Sequence, residues 1–270
     1  MKLKGLGEHA TSPKIIMRIL FLFLAGMFLA GPSFGEEPKW YIEKSEHFLI
    51  HYKDPSQKSY ITEASNYAEN YYKSITDRLG FRRFNFWLWD ERAKIYIYLT
   101  RDDYLKNTRQ PEWSIGNAHV KKRTITTYYF QEQFFTNFLP HEMGHLIFRE
   151  YVGYQTPLPL WLDEGVACIQ EDDIARYIDL CRLKLAKKAI LPIGRLTHTQ
   201  AKTMVSVDAF YAEAATLVYF LLEEYGNAKF VDFCRRLRDG DDYLKALNYV
   251  YHLDGLPALD DAWRAWMKKD

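Results

Sequence analysis

The pentapeptide His141-Glu142-Met143-Gly144-His145 constrains this chain more than any other feature, because its chemistry requires a helix. Positions i and i+4 of a 3.6-residue helix share one face, so His141 and His145 can aim imidazole nitrogens at a single ion. Glu142 sits one position round, where a carboxylate reaches water beside the ion rather than the ion itself. A third donor, Glu164, stands 19 residues beyond His145, inside Trp161-Leu162-Asp163-Glu164-Gly165. If a second helix returns that carboxylate to the first, Zn2+ gains three protein ligands and keeps its fourth position open, as a catalytic site requires. The expectation is a hydrolytic centre with His141, His145 and Glu164 as metal ligands and Glu142 as general base. The alternative is a set of polar residues on a partly buried helix that holds no metal.

Punctuation along the chain agrees with two helices. Asn137 is a good N-cap, Pro140 is tolerated in a first turn, and Gly153 marks an end. Thr156-Pro157-Leu158-Pro159 reverses the chain, and Trp161 opens the helix that carries Glu164. Were that helix continuous over residues 161–189, Cys168 and Cys181 would lie ~20 Å apart, beyond disulfide reach. Upstream, Phe48–Tyr52 and residues 94–100 read as strands around an amphipathic helix at 56–79, and 118–129 reads as a third strand. Beyond Pro192 the periodicity is helical, with Val207, Phe210, Tyr211, Ala214, Leu217 and Val218 opening an apolar stripe. The class is α+β.

At the two metal motifs the chain resembles the gluzincin metallopeptidases, the thermolysin-like zincins of the peptidase MA group. Trp161-Leu162-Asp163-Glu164-Gly165-Val166-Ala167 is similar to their W-L-x-E-G-x-A element. Phe210-Tyr211-Ala212-Glu213 leads into a helix ending Glu224-Tyr225-Gly226, similar to the Y-A-x-x helix of small exported relatives. Asp261-Ala262-Trp263-Arg264-Ala265-Trp266 resembles their C-terminal helix. The likeness runs over roughly residues 41–267. It implies a zincin-like fold, with a small mixed-sheet lobe (36–136), a helical lobe (137–270) and the zinc cleft between them. It also implies that 118–129 forms the rim strand of the cleft, whose free edge takes peptide; an ordinary edge strand is the alternative. Tyr211 becomes the candidate donor to the reaction's oxyanion, although its apolar stripe reads more strongly as that of a core tyrosine. Metzincins need Gly and His where Phe148 and Tyr151 stand, which excludes them. The aminopeptidase G-x-M-E-N strand is missing from Gly116-Asn117-Ala118-His119-Val120, although Asn117-Ala118 is similar to thermolysin's substrate-binding edge.

Lys14 and Arg18 precede an apolar run over residues 19–30, too short for a comfortable bilayer span but suited to a signal peptide. Ser33-Phe34-Gly35 then offers small residues for a cut before Glu36, which implies export to the periplasm or outside; an uncleaved anchor is the alternative, and Met17 is a possible start. Without residues 1–35 the chain carries 32 basic and 34 acidic residues, a balance that suggests neither nucleic acid nor an anionic membrane as partner. Three cysteines, Cys168, Cys181 and Cys234, make no disulfide framework and read as small buried hydrophobes. Aromatic residues, 16% of the chain, spread over both halves and form no recognisable carbohydrate platform.

His198 is a weaker candidate donor than Tyr211, and Asp163 with Glu171-Asp172-Asp173 reads as solvated helix-face charge rather than support for the histidines. The functional expectation is an exported zinc peptidase acting on peptides or proteins. A peptidase-like binding module without catalysis, or a zinc amidase acting on a cell-wall component, is the alternative.

Overall fold

The computed structural model describes residues 39–81, 86–130, 133–199 and 206–269. The expected signal at 1–35 lies outside them. Side chains alternate between the two faces of the sheet: β2 (Phe48–Tyr52) buries Phe48, Ile50 and Tyr52, and β3 (Ala93–Tyr98) buries Ala93, Ile95 and Ile97. With β1 (Tyr41–Lys44), β4 (Gly116–His119) and β5 (Thr124–Tyr128) they form five strands in the order β1-β2-β3-β5-β4. β2, β3 and β5 are mutually parallel, and the two outer pairs are antiparallel. A parallel pair needs a crossover, supplied between β2 and β3 by helix α1 (Lys58–Arg78), which buries Ile61, Ala64, Ala68 and Ile75. Helix α2 (Arg101–Thr108) follows β3, capped by Thr100, whose hydroxyl accepts from the Asp103 amide at 3.1 Å.

The single strand expected over 118–129 is instead a hairpin. A tight turn through Val120–Lys122 ends at Arg123 with φ 49°, and β4 doubles back against β5. No Gly, Pro or Asn marks that turn. Arg123 holds the left-handed conformation while its guanidinium donates to Glu150 at 2.8 Å, a distant contact that sequence spacing does not reveal.

Among the described residues the remaining helices are α3 (Leu139–Val152), α4 (Leu160–Cys168), α5 (Ile174–Ala186), α6 (Ile193–Thr197), α7 (Val207–Arg238), α8 (Tyr243–Tyr251) and α9 (Gly255–Met267). Gly226, with φ 79° and ψ 160°, breaks α7 where the sequence expects a stop. Two helix boundaries differ from expectation. Asn137 is no N-cap: a π-helical turn, Phe134–Phe138, already winds into α3, and the Asn137 amide points to Glu171 at 3.5 Å. The helix expected over 161–189 is broken after Cys168, where the Gln170 and Glu171 amides bond back to the Ala167 and Cys168 carbonyls.

The architecture is α+β, a small sheet lobe joined to a helical lobe. One buried apolar cluster reaches from Phe48 to Met267 and includes all three cysteines as free thiols. No helix of the described residues is long and apolar enough to cross a membrane.

Candidate metal centre

Helix α3 is buried on every side over residues 139–149, so its polar side chains cannot reach bulk water and must find partners inside. Helix α4 packs on it closely enough that a Cβ at Gly144 would stand 2.9 Å from Ala167 Cα. On its other side α4 meets α7, where a Cβ at Gly165 would lie 2.4 Å from the Ala214 carbonyl oxygen. Glu164 is thus carried by a helix wedged between two others through glycine contacts.

The wedge brings the three expected ligands together. His141 Nε2 and His145 Nε2 are 3.3 Å apart, and each lies 3.6 Å from Glu164 Oε2. The circle through these atoms has a radius of about 2.0 Å, the length of a bond from zinc to nitrogen or oxygen. Glu164 Oε2 is buried with no hydrogen-bond partner, which is costly unless a cation occupies the triangle's centre.

The other imidazole nitrogens are occupied. His141 Nδ1 lies 2.7 Å from Glu171 Oε1, and His145 Nδ1 lies 3.2 Å from Asp163 Oδ1. Tyr177 donates to Glu171 at 2.9 Å, while Arg149 donates twice to Asp163 Oδ2, at 2.9 and 2.7 Å. Carboxylates so placed fix the tautomer in which Nε2 is free to coordinate. Asp163 and Glu171 are therefore buried partners of the histidines rather than solvated charges, a correction to the sequence reading. Asp172 and Asp173 are exposed, as expected. His141, Cys168 and Glu171 also cluster, but the 2.7 Å Nδ1–Oε1 contact is a hydrogen bond, shorter than the ~3.3 Å between two ligands of a tetrahedral zinc.

Charge favours a cation here. Glu142, Asp163, Glu164 and Glu171 are all buried, with Arg149 the buried basic side chain beside them. Burial pulls the pKa of His141 and His145 down, yet the carboxylates around them, with Cys168 beside His141, outweigh it and raise both. Such a pocket attracts positive charge, and these donors suit zinc.

Glu142 is fully buried, and neither carboxylate oxygen meets a hydrogen-bond partner. Burial pushes its pKa up to about 7, against the lowering pull of His141 and His145 and of the Ala118 backbone on β4. Tyr211, in the first turns of α7, is 8% exposed, with its ring 6.3 Å from that of His141. Burial and the charge of Glu164 raise its pKa well above the usual phenol value, so the hydroxyl keeps its proton. The structure thus brings Tyr211 to the candidate centre as both a core residue and a neighbour of His141. It leaves His198 exposed at the end of the short helix α6.

The contribution of Glu171 had no sequence signal beyond its place in an acidic cluster, because a break in the helix returns it to His141. No curated protein matches the chain. A family model, that of the peptidase MA superfamily, matches residues 89–269. That stretch takes in β3 to β5 and every helix from α2 to α9, including all the residues gathered around the two imidazoles, and it places this chain in the peptidase MA superfamily.

Proposed function

We propose that the protein is an exported zinc peptidase of the gluzincin type, in which His141, His145 and Glu164 hold Zn2+ and Glu142 is the general base. The observation that carries this reading is the triangle of ligand atoms, sized for zinc, with an unpartnered carboxylate buried beside it. Held by these three residues, zinc would polarise a carbonyl and lower the pKa of water from ~15.7 toward ~7. Glu142 takes a proton from the attacking water at a carboxylate oxygen and delivers it to the departing nitrogen. Tyr211 keeps its hydroxyl proton and donates it as a hydrogen bond to the oxygen that gains negative charge. Strand β4 is the outermost strand beside α3, so its free edge can take an extended peptide as an added strand. The signal-like residues 14–35 support export. Residues 36–136 and 137–270 are then the two lobes of one mature catalytic unit.

Metal analysis and a mixed peptide library test the reading together. The purified protein should carry one zinc per chain and cleave the library. Glu142→Gln should keep the zinc and lose turnover, whereas His141→Ala and Glu164→Ala should lose the metal. Full cleavage by Glu142→Gln refutes the mechanism. Zinc without cleavage of peptides would favour a binding module, and cleavage confined to cell-wall cross-links would favour an amidase.

A further inference from the structure

The helices α1 and α3 cover one face of the sheet, and the strand alternation leaves a second face open. Register aligns His51, Tyr96, Thr126 and Asn117 in one row across β2, β3, β5 and β4, with Leu49, Lys94, Thr124 and His119 in the next. In both rows β5 contributes only threonine, between the taller side chains of its neighbours. A trough therefore runs along β5, walled by β3 and β4 at two strand spacings, about 9.6 Å. Closed by Thr108 and Gln110 at the end of α2, it encloses about 630 Å³.

The lining is chemically one-sided. Among the described residues, Lys94 and Lys122 are its formal charges, and no carboxylate lines it. Among the described residues, the side chains of Lys94, Gln110, Asn117, Lys122 and Thr126 make no hydrogen bond or ion pair with the protein. The Tyr96 ring is stacked on His51 at 4.3 Å and 13°, which fixes it with its opposite face toward β5. Trp40 stands at near right angles to both tyrosine rings, 5.3 Å from Tyr96 and 5.1 Å from Tyr98, and the Lys53 ammonium lies 4.6 Å from the Tyr98 ring centre. The backbone of β3 and β5 is spent within the sheet, so a ligand here meets side-chain hydroxyls, amides, ring faces and two ammonium groups.

We infer that this trough binds a carboxylate-bearing saccharide chain, its sugar rings against Tyr96 and Tyr98 and its carboxylates on Lys94 and Lys122. Aromatic faces flanked by side-chain donors and acceptors match sugar rings and hydroxyls. A peptide main chain would find no sheet edge and no apolar anchor pocket there. The aromatic platform that the sequence hides is assembled by cross-strand register. Because Asn117 and His119 point away from α3 while Ala118 approaches Glu142, the trough and the metal centre lie on opposite sides of β4. Such a site would hold the protein on an acidic glycan whatever reaction the centre performs.

Calorimetric titration of the full chain with an α-1,4-linked hexagalacturonate tests this, with neutral maltohexaose and hexaglutamate as comparators. The acidic sugar should bind, more weakly as salt rises. Lys94→Gln with Lys122→Gln should weaken it roughly tenfold, while Lys94→Arg with Lys122→Arg retains it. Thr126→Tyr fills the trough, leaves both lysines, and should abolish binding with an unchanged melting temperature. Failure of the wild-type chain to bind hexagalacturonate, or binding indifferent to these substitutions, overturns the inference. Equal affinity for hexaglutamate would overturn it in favour of an acidic peptide.

Discussion

Replacing Gly165 by alanine puts a methyl group into the seam between α4 and α7, one residue from Glu164. The added Cβ would lie 2.4 Å from the Ala214 carbonyl oxygen and 2.6 Å from Val218 Cγ2. Ordinary contact needs about 3.5 Å, so the helices must part by about 1 Å. Helix α4 has little room to retreat, since its other side rests on Gly144 of α3, where a Cβ would already stand 2.9 Å from Ala167 Cα. Overpacking of this kind costs about 1–3 kcal/mol, and each kcal/mol lowers the melting temperature of a chain this size by about 2–4 °C. The displacement also carries Glu164 Oε2, and zinc tolerates only about ±0.2 Å in its ligand distances. Zinc affinity should therefore fall about 10–100-fold, the range seen when a ligand loses its support. Competition with a fluorescent chelator reads the affinity, and circular dichroism of the metal-free protein reads the stability. Gly194→Ala, the same change at a helical glycine with nothing within 4 Å, should be neutral or slightly stabilising. A Gly165→Ala protein with wild-type melting and wild-type zinc affinity would show that the wedge does not position the carboxylate.

Glu171→Ala removes the acceptor of His141 Nδ1, and zinc affinity should drop about 10–100-fold in the same competition assay; an unchanged affinity would show that Glu171 does not support metal binding through His141. Tyr211→Phe should lower kcat about 10²–10³-fold with KM and bound zinc nearly unchanged. A lower melting temperature with full kcat would instead make Tyr211 a packing residue. For Asp163, burial raises the carboxyl pKa, but His145 and Arg149 outweigh it and hold the group well below the usual carboxylate range. Its contribution to stability is present above the unfolded value of about 3.9 and is lost as pH falls through the lower folded value. Asp163→Asn should therefore flatten the acid limb of urea stability in the metal-free protein. It should also cost about 3–5 kcal/mol near neutrality by stranding Arg149, and an acid limb parallel to wild type would contradict this.

How much of this was legible beforehand depended on the range of each interaction. The four-residue spacing of His141 and His145 is local, so both ring nitrogens could be placed on one helix face from sequence. The strand at Phe48–Tyr52 is equally local, a short apolar and aromatic run bounded by charged residues. Glu164 could be nominated from its place in Trp161-Leu162-Asp163-Glu164-Gly165, 19 residues beyond His145. Long-range features were hidden. The hairpin joining β4 to β5 turns at Arg123, whose guanidinium is bonded to Glu150, 27 residues away. The partnership of Glu171 with His141 depends on the break after Cys168. An unbroken helix would have carried Glu171 about 10 Å along its axis from Glu164. The open sheet face was equally invisible, because its rows are made of residues from four separate strands.

The burial of all three thiols carries a consequence for handling. Cys168, Cys181 and Cys234 have no exposed surface, so oxidants and foreign disulfides find nothing to attack while the chain stays folded. Unfolding releases all three at once, and an odd number of thiols leaves at least one able to join a neighbouring molecule. Heating in an oxidising medium should then trap the denatured chain in covalent aggregates, whereas a reductant should let it recover on cooling.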